Sequence, residues 1–228
     1  MIKKIEGKQA TYKSPNIVRH QASVTRARRE RLNGHRGVLL WTTGLSGAGK
    51  STISHEVEER LHQWGYRTFV LDGDNVRHGL CGDLGFSVED RTENIRRIGE
   101  ICKLFIQSGI IILAAFISPF ESDRQRVRDL VGDEDFLEIY CRCTIEVCER
   151  RDVKGHYRRA RRGEIPEFTG LTSPYQEPRT PDLILDTGKL SLDESVREVL
   201  SLLMKRGIVG ASELRNSKIG ESVHKQTL

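Results

Sequence analysis

Gly44-Leu45-Ser46-Gly47-Ala48-Gly49-Lys50-Ser51, followed by Thr52, is the stretch on which the fold turns. It is a complete Gly-x-x-x-x-Gly-Lys-Ser phosphate loop. Glycines let backbone N–H groups curl around phosphates, Lys50 supplies a point charge, and Ser51 offers its hydroxyl to Mg²⁺ at a helix N-terminus. The bare pattern recurs by chance, so its surroundings decide. Here the apolar run Val38-Leu39-Leu40-Trp41 enters the loop and an amphipathic helical pattern leaves it, which is the strand–loop–helix context of a nucleoside triphosphate site.

Working outward from the loop, short apolar runs alternate with helical patterns. Strands are predicted near 38–43, 67–71, 110–116, 136–141 and 183–186, and helices near 50–64, 90–108, 122–131 and 145–151. A closing helix carries Leu192, Val196, Val199, Leu200 and Leu203 at helical spacing and stops at Gly207. Such alternation specifies an α/β fold with a parallel sheet covered on both faces. Residues 1–36 read as a basic N-terminal arm, 37–206 as the domain, and 207–228 as a polar tail with too little apolar content to pack much.

The formal charge of +5 is concentrated in Lys3 to Arg36 and again around Arg158 to Arg162. The first cluster reads either as a solvated extension or as a nucleic-acid arm; with a single aromatic, Tyr12, among the basic residues and no nucleic-acid motif, the extension is the expectation. The five cysteines, Cys81, Cys102, Cys141, Cys143 and Cys148, show no C-x-x-C spacing, so neither a disulfide framework nor a zinc site is signalled. The apolar run Ile110 to Ile117 is too short to cross a bilayer and the polar N-terminus has no secretory signal, so a cytoplasmic protein without a membrane role is expected.

Two carboxylates, Asp72 and Asp74, follow the second strand at the end where open α/β sheets bind ligands. Asp72 suits the metal side and Asp74 an acceptor hydroxyl; the alternative is a polar turn capping the next helix. Ser87 with Asp90 three residues on fits a capping box starting the helix that carries Arg91 and Asn94 on one face. That pair reads as an anion site or as solvated surface. Ser118, at the exit of the third strand, reads as a phosphorylated intermediate, a phosphate ligand or an N-cap before Pro119, and no neighbouring base is visible to activate it. Between 152 and 179 the chain is rich in Arg, Gly and Pro, as a long loop or lid would be, with Lys154, Arg158, Arg159, Arg161 and Arg162 available over a phosphate site. Phe86 and Phe168 are either base platforms or packing.

Taken together the chain resembles the adenylyl-sulfate (adenosine 5′-phosphosulfate, APS) kinase family. The resemblance spans about residues 36–187 and rests on Thr43 to Thr52, Leu71-Asp-Gly-Asp-Asn-Val-Arg-His-Gly-Leu80, Asp83 to Ser87, Asp90 to Ile98, Ala115-Phe-Ile-Ser-Pro119, Arg151 to Gly155, Glu164 to Gly170 and Ser173 to Tyr175. It implies a P-loop kinase-type three-layer α/β/α domain with a central, mainly parallel five-stranded sheet and a mobile arginine-rich lid. It also implies transfer of the ATP γ-phosphoryl group to the 3′-hydroxyl of APS in sulfate assimilation, with Mg²⁺, usually as a homodimer and with a functional link to ATP sulfurylase. Carried over, Asp74 resembles the acceptor-orienting acid and Asp72 a metal-side carboxylate beside Ser51. Arg77, Arg91 and Asn94 resemble ligands of the phosphosulfate nucleotide, and Phe86 and Phe168 the pair sandwiching its adenine, with Ile117, Ser118 and Lys154 nearby. Ser118 also matches a serine assigned in some members as a phosphoserine intermediate, although in-line transfer needs none.

The chain departs from the family pattern at Cys141-Arg-Cys-Thr144, at Val153 in place of a proline, and at Arg158-Arg-Ala-Arg-Arg162, which replaces a more lysine-containing run. Two rival readings are a kinase for another small hydroxyl acceptor on the same fold and a nucleotide-dependent binding module. The combination of Asp74, Arg91 and Asn94 speaks against the second.

Overall fold

The computed structural model describes residue 20 and residues 22–210. Its frame is a five-stranded sheet built from β1 (Val38–Thr43), β2 (Thr68–Asp72), β3 (Ile111–Ala115), β4 (Phe136–Arg142) and β5 (Leu183–Asp186), in the order β2-β3-β1-β4-β5. All four ladders are parallel, so the expected mainly parallel sheet is wholly so. Parallel strands need crossovers, and each is helical: α2 (Lys50–Gln63), α4 (Val88–Gln107), α5 (Glu121–Val131), and α6 (Ile145–Arg151) with α7 (His156–Arg161), before α8 (Leu192–Lys205) closes the chain.

β1 is buried along its whole length because its alternate residues feed two cores. Val38 and Leu40 pack with Ile53, Val57, Leu61, Val199 and Leu203 from α2 and α8. Leu39 and Trp41 pack with Ile95, Ile98, Cys102 and Val127 from α4 and α5. A strand that faces helices on both sides therefore reads as a continuous apolar run rather than an alternating one. Every strand exit opens on the same edge of the sheet, where β1 runs into the phosphate loop, β2 into Asp72, and β3 into Ser118.

Helix ends follow their side-chain chemistry. Ser191 and Glu194 form the reciprocal capping box of α8. At α4 only half of the expected box is made. Ser87 Oγ accepts the Asp90 N–H at 3.1 Å, but the shorter Asp90 carboxylate accepts from Gly85 N–H at 3.0 Å.

Three helices lie outside the predicted set: α1 (Arg26–Asn33), α3 (Gly73–Arg77) and α7. The α1 segment corrects the expectation of a free solvated extension for this part of the arm. Arg26 donates to Asp135 at 2.8 Å and to Gly37 O at 3.0 Å, Glu30 accepts from Gly37 N–H at 2.9 Å, and Asn33 donates to Gly109 O at 2.9 Å. These bonds fasten α1 across the entry end of the sheet, opposite the strand exits. The polar tail expected from 207 is corrected at its start, where Ile208 and Val209 are buried in the core with α2 and α8 and Gly210 N–H donates to Tyr66 Oη at 2.9 Å, because two apolar residues suffice to extend the α8 packing. Residues 211–228 lie outside the described residues.

Candidate active site

The phosphate loop depends on backbone that side chains would obstruct. A Cβ at Gly44 would lie 2.6 Å from Cys141 O, and Gly49, at φ +89°, starts α2 in the left-handed region that favours glycine. Lys50 is buried, its Nζ held 2.7 Å from Leu45 O, and burial lowers its pKa to about 8. Tyr157 of α7 donates to Ser46 O at 3.0 Å, and Arg151 at the end of α6 donates to Gly47 O at 3.3 Å and Thr187 O at 2.6 Å. Thus the loop is clamped from outside by two residues, Tyr157 and Arg151, that are not among the expected site residues. Tyr157 and Ala160, both buried and three apart, are the periodic signal that marks α7 inside the arginine-rich run.

Asp72 caps α3, accepting from Asp74 N–H at 2.9 Å, and the neighbouring Ser51 hydroxyl favours its charged form. Burial pushes its carboxyl upward, but the Ser51 hydroxyl and the bonds from Asp74 and Asn75 outweigh that and hold it below the usual carboxylate range. A hydroxyl and a carboxylate meeting at the phosphate loop are hard oxygen donors, a fit for Mg²⁺, which takes one or two protein ligands and completes its shell with water and phosphate. Asp74 stands two residues further on, half exposed, in an ion pair with Lys154 from the lid.

Across the cleft, Arg77 donates to Leu84 O at 3.1 Å and Gly85 O at 2.9 Å, and its guanidinium lies 4.4 Å from the centre of the Phe86 ring. Phe86 is 61% exposed. Arg91 reaches from α4 to the lid, bonding Thr169 Oγ1 at 2.5 Å and the Glu167 carbonyl, as well as Phe86 O at 2.8 Å. Its burial lowers its pKa. Asn94 is 5% exposed, and its Oδ1 has no hydrogen-bond partner. These two side chains are therefore an inward-facing pair and not solvated surface. Phe168 is buried in the core cluster and packs edge-on against Tyr157 at 4.9 Å, the packing alternative of the sequence reading, so it and Phe86 are not brought together.

Ser118 occupies a left-handed turn at φ +39° and is 2% exposed. It does not cap α5, whose N-cap is Phe120. Its hydroxyl accepts from Trp41 Nε1 at 3.1 Å and donates to Thr43 Oγ1 at 3.0 Å. Thr43 passes its own proton to Ile117 O at 2.7 Å, which leaves Tyr175 as donor in the 3.0 Å bond between Tyr175 and Thr43. The four residues form a directed chain that ends on the Ile117 carbonyl.

The lid arginines do not converge on the phosphate loop as expected. Arg158 pairs with Asp152, Arg159 and Arg162 with Glu164, and Arg161 with Glu149, all on the surface. A cavity of about 530 Å³ opens between Leu45, Thr144, Ile145, Leu171 and Tyr175, but of the predicted site residues only Leu45 borders it.

Fold and site define a P-loop phosphotransferase. The acceptor is decided by kinship. The adenylylsulphate kinase family profile matches residues 36–186, and the chain belongs to that family. It is 60% identical to the adenylyl-sulfate kinase of Acaryochloris marina over 197 residues, covering 86% of this chain and 96% of the relative. It is 55% identical to that of Prochlorococcus marinus over 199 residues, 87% and 99% of the two chains. A solved Mycobacterium tuberculosis APS kinase CysC in complex with AMPPNP and APS superposes with a TM-score of 0.72 at 47% identity, over 75% of this chain and 99% of that one. The protein is a kinase that transfers the γ-phosphoryl group of ATP to the 3′-hydroxyl of APS, giving 3′-phosphoadenylyl sulfate and ADP.

Proposed function

We propose that the cleft between the phosphate loop and the α3–α4–lid wall runs this transfer by positioning and charge neutralisation. The observation that carries the reading is the spacing of Asp72 and Asp74: one lies beside the Ser51 hydroxyl and the other pairs with the lid lysine, only two residues apart. The loop amides and Lys50 take the triphosphate. Ser51 and Asp72 would hold Mg²⁺, which when bound neutralises phosphate charge. Arg77 and Arg91 supply guanidinium donors to the phosphosulfate, Asn94 offers its unpaired acceptor, and Phe86 and Phe168 flank the adenine, with Ile117 and Lys154 at its edge. As the 3′-oxygen bonds to the γ-phosphorus, the bond from that phosphorus to the β,γ-bridging oxygen breaks. ADP departs and Asp74 takes the hydroxyl proton.

Ser118 acts in this scheme as a positioning residue. Its hydroxyl is buried and committed to Trp41 and Thr43, so a phosphoenzyme would have to break both bonds without a general base at hand. Ser118→Ala that remains active and carries no acid-stable phosphoserine supports this; loss of turnover together with label on the wild-type serine overturns it. The acceptor itself is tested by ATP turnover with APS against nucleosides, nucleotides and sugar acids, and preference for any of the latter overturns the reading.

A homodimer belongs to the proposal. Phe69 on the edge strand β2 and Leu104 on α4 are both exposed, and Phe69 stacks on Phe105, giving an apolar face that light scattering on the Phe69→Lys variant would probe. No helix among the described residues is long and apolar enough to cross a membrane. A cytoplasmic setting and supply of APS by ATP sulfurylase complete the reading.

A further inference from the structure

Two adjacent residues on the first turn of α5, Asp123 and Arg124, are both 2% exposed and have no place in the transfer scheme above. Arg124 spends its guanidinium on three separate parts of the fold. Nε donates to Glu138 Oε1 on β4 at 2.7 Å, Nη1 to Ser118 O at 2.8 Å, and Nη2 to Gln176 O at 2.9 Å. Asp123 turns the other way, its Oδ2 accepting from Thr92 Oγ1 on α4 at 3.0 Å. Thr92 directly follows Arg91 and lies two residues before Asn94.

Packing alone does not call for this arrangement. A buried ion pair is often no more stabilising than apolar residues of the same volume, so its value lies in what the geometry specifies. A guanidinium offers donors fixed in one plane, which no aliphatic side chain and no lysine reproduces. Two of those donors end on backbone carbonyls of irregular segments, the strained turn at Ser118 and the return of the lid at Gln176. The same two segments are stitched together by Gln176 N–H to Pro119 O at 2.8 Å and Glu121 N–H to Gln176 Oε1 at 2.8 Å. Both walls of the acceptor side thus lead back to one helical turn: the Ser118 turn and lid through Arg124, and α4 through Asp123.

We infer that Asp123 and Arg124 are positioning residues for the acceptor, holding the Ser118 turn, the lid return and the Arg91–Asn94 helix in a single register. This rests on the assignment of that cleft to APS, and the experiment separates the two. Steady-state kinetics with each substrate varied are run on the wild type, Arg124→Lys, Thr92→Val, and Arg124→Met combined with Glu138→Gln. The double variant removes the buried acid that a lone Arg124 substitution would leave with only Arg128, 3.9 Å away, as partner, which limits the loss of stability. Its kcat/KM for APS is expected to fall about 100-fold, while KM for ATP and the affinity for ADP stay within about twofold. Arg124→Lys falls nearly as far, and Thr92→Val about fivefold, again on the APS side alone. A double variant with wild-type kinetics for APS, or one in which KM for ATP and APS rise in parallel, overturns the inference and leaves the reaction standing. Wild-type protein that turns over no APS overturns the assignment of the cleft and the inference with it.

Discussion

The two halves of the cleft are built differently. The donor half proposed above is nearly contiguous: its lining residues run from Gly44 to Ser51 between one strand and one helix, and only its outside is clamped by Tyr157 and Arg151. The acceptor half draws on α3, α4, the exit of β3 and the lid, with Arg91 bonded to residues 167 and 169, 76 and 78 positions away. Local chain geometry makes the first half, whereas the second exists only when distant segments have already packed. Substitutions in the donor half should therefore act through one residue's own contact, and those in the acceptor half through registration.

The hardest test of that contrast is Asp74→Asn. Loss of the proton acceptor is expected to lower kcat by about 10²–10⁴-fold while ATP binding, followed by titration calorimetry, is retained. Loss of ATP affinity in the same measurement would mean the two halves are not separable. Next comes Lys50→Met, for which kcat should drop about 10²–10³-fold.

The same Lys50 variant has an opposite effect on stability. Burial holds the folded-state pKa at about 8, below the ordinary 10.5, so below about 8 the folded protein bears the full penalty of a buried ammonium. As pH rises from about 8 to 10.5 the folded state loses its proton first and that penalty fades. Lys50→Met should thus stabilise the ligand-free protein by on the order of 2 kcal/mol at pH 7, less at pH 10, by urea denaturation. A variant no more stable than wild type at pH 7 would show that the lysine is better solvated than its burial implies.

Smaller still, Tyr157→Phe removes the bond to Ser46 O, worth about 1 kcal/mol, and should raise KM for ATP about fivefold with KM for APS unchanged. An equal rise in both constants would place Tyr157 in the registration of the lid and not in the phosphate loop. At the far end of the sheet, Arg26→Ala should cost about 1 kcal/mol of stability through its lost bonds to Asp135 and Gly37, with no change in either KM. Altered kinetics there would mean that α1 communicates with the strand exits.

The legible parts of this protein share one property: their signal lies within a short window. The five strands, the phosphate loop and α8 are each readable from apolar spacing or a motif, and the observed strand bounds lie within one residue of those expected, β1 and β5 matching at both ends. Helix α3 was hidden because its Asp-Gly-Asp-Asn start is equally good turn chemistry. Helix α1 was hidden because none of its residues is buried; polar bonds to Asp135, Gly37 and Gly109 hold it, and hydropathy carries no trace of them. Ser118 allowed three readings, and the structure removes one, the N-cap, because Phe120 caps α5 while the Ser118 hydroxyl turns to Trp41 and Thr43. The lid arginines, read as a phosphate canopy, found acids nearer at hand.

Residue order alone determined the parallel sheet, the phosphate-loop motif and the kind of chemistry, because backbone conformation, apolar period and loop composition are local properties. Tertiary structure decided which polar groups face inward. Arg91 and Asn94 could have been surface, and Arg124 looks like any other arginine of its helix until Glu138, Ser118 and Gln176 arrive from 14, 6 and 52 positions away. Burial and hydrogen-bond partnership are properties of that assembled neighbourhood, and no window of sequence contains it.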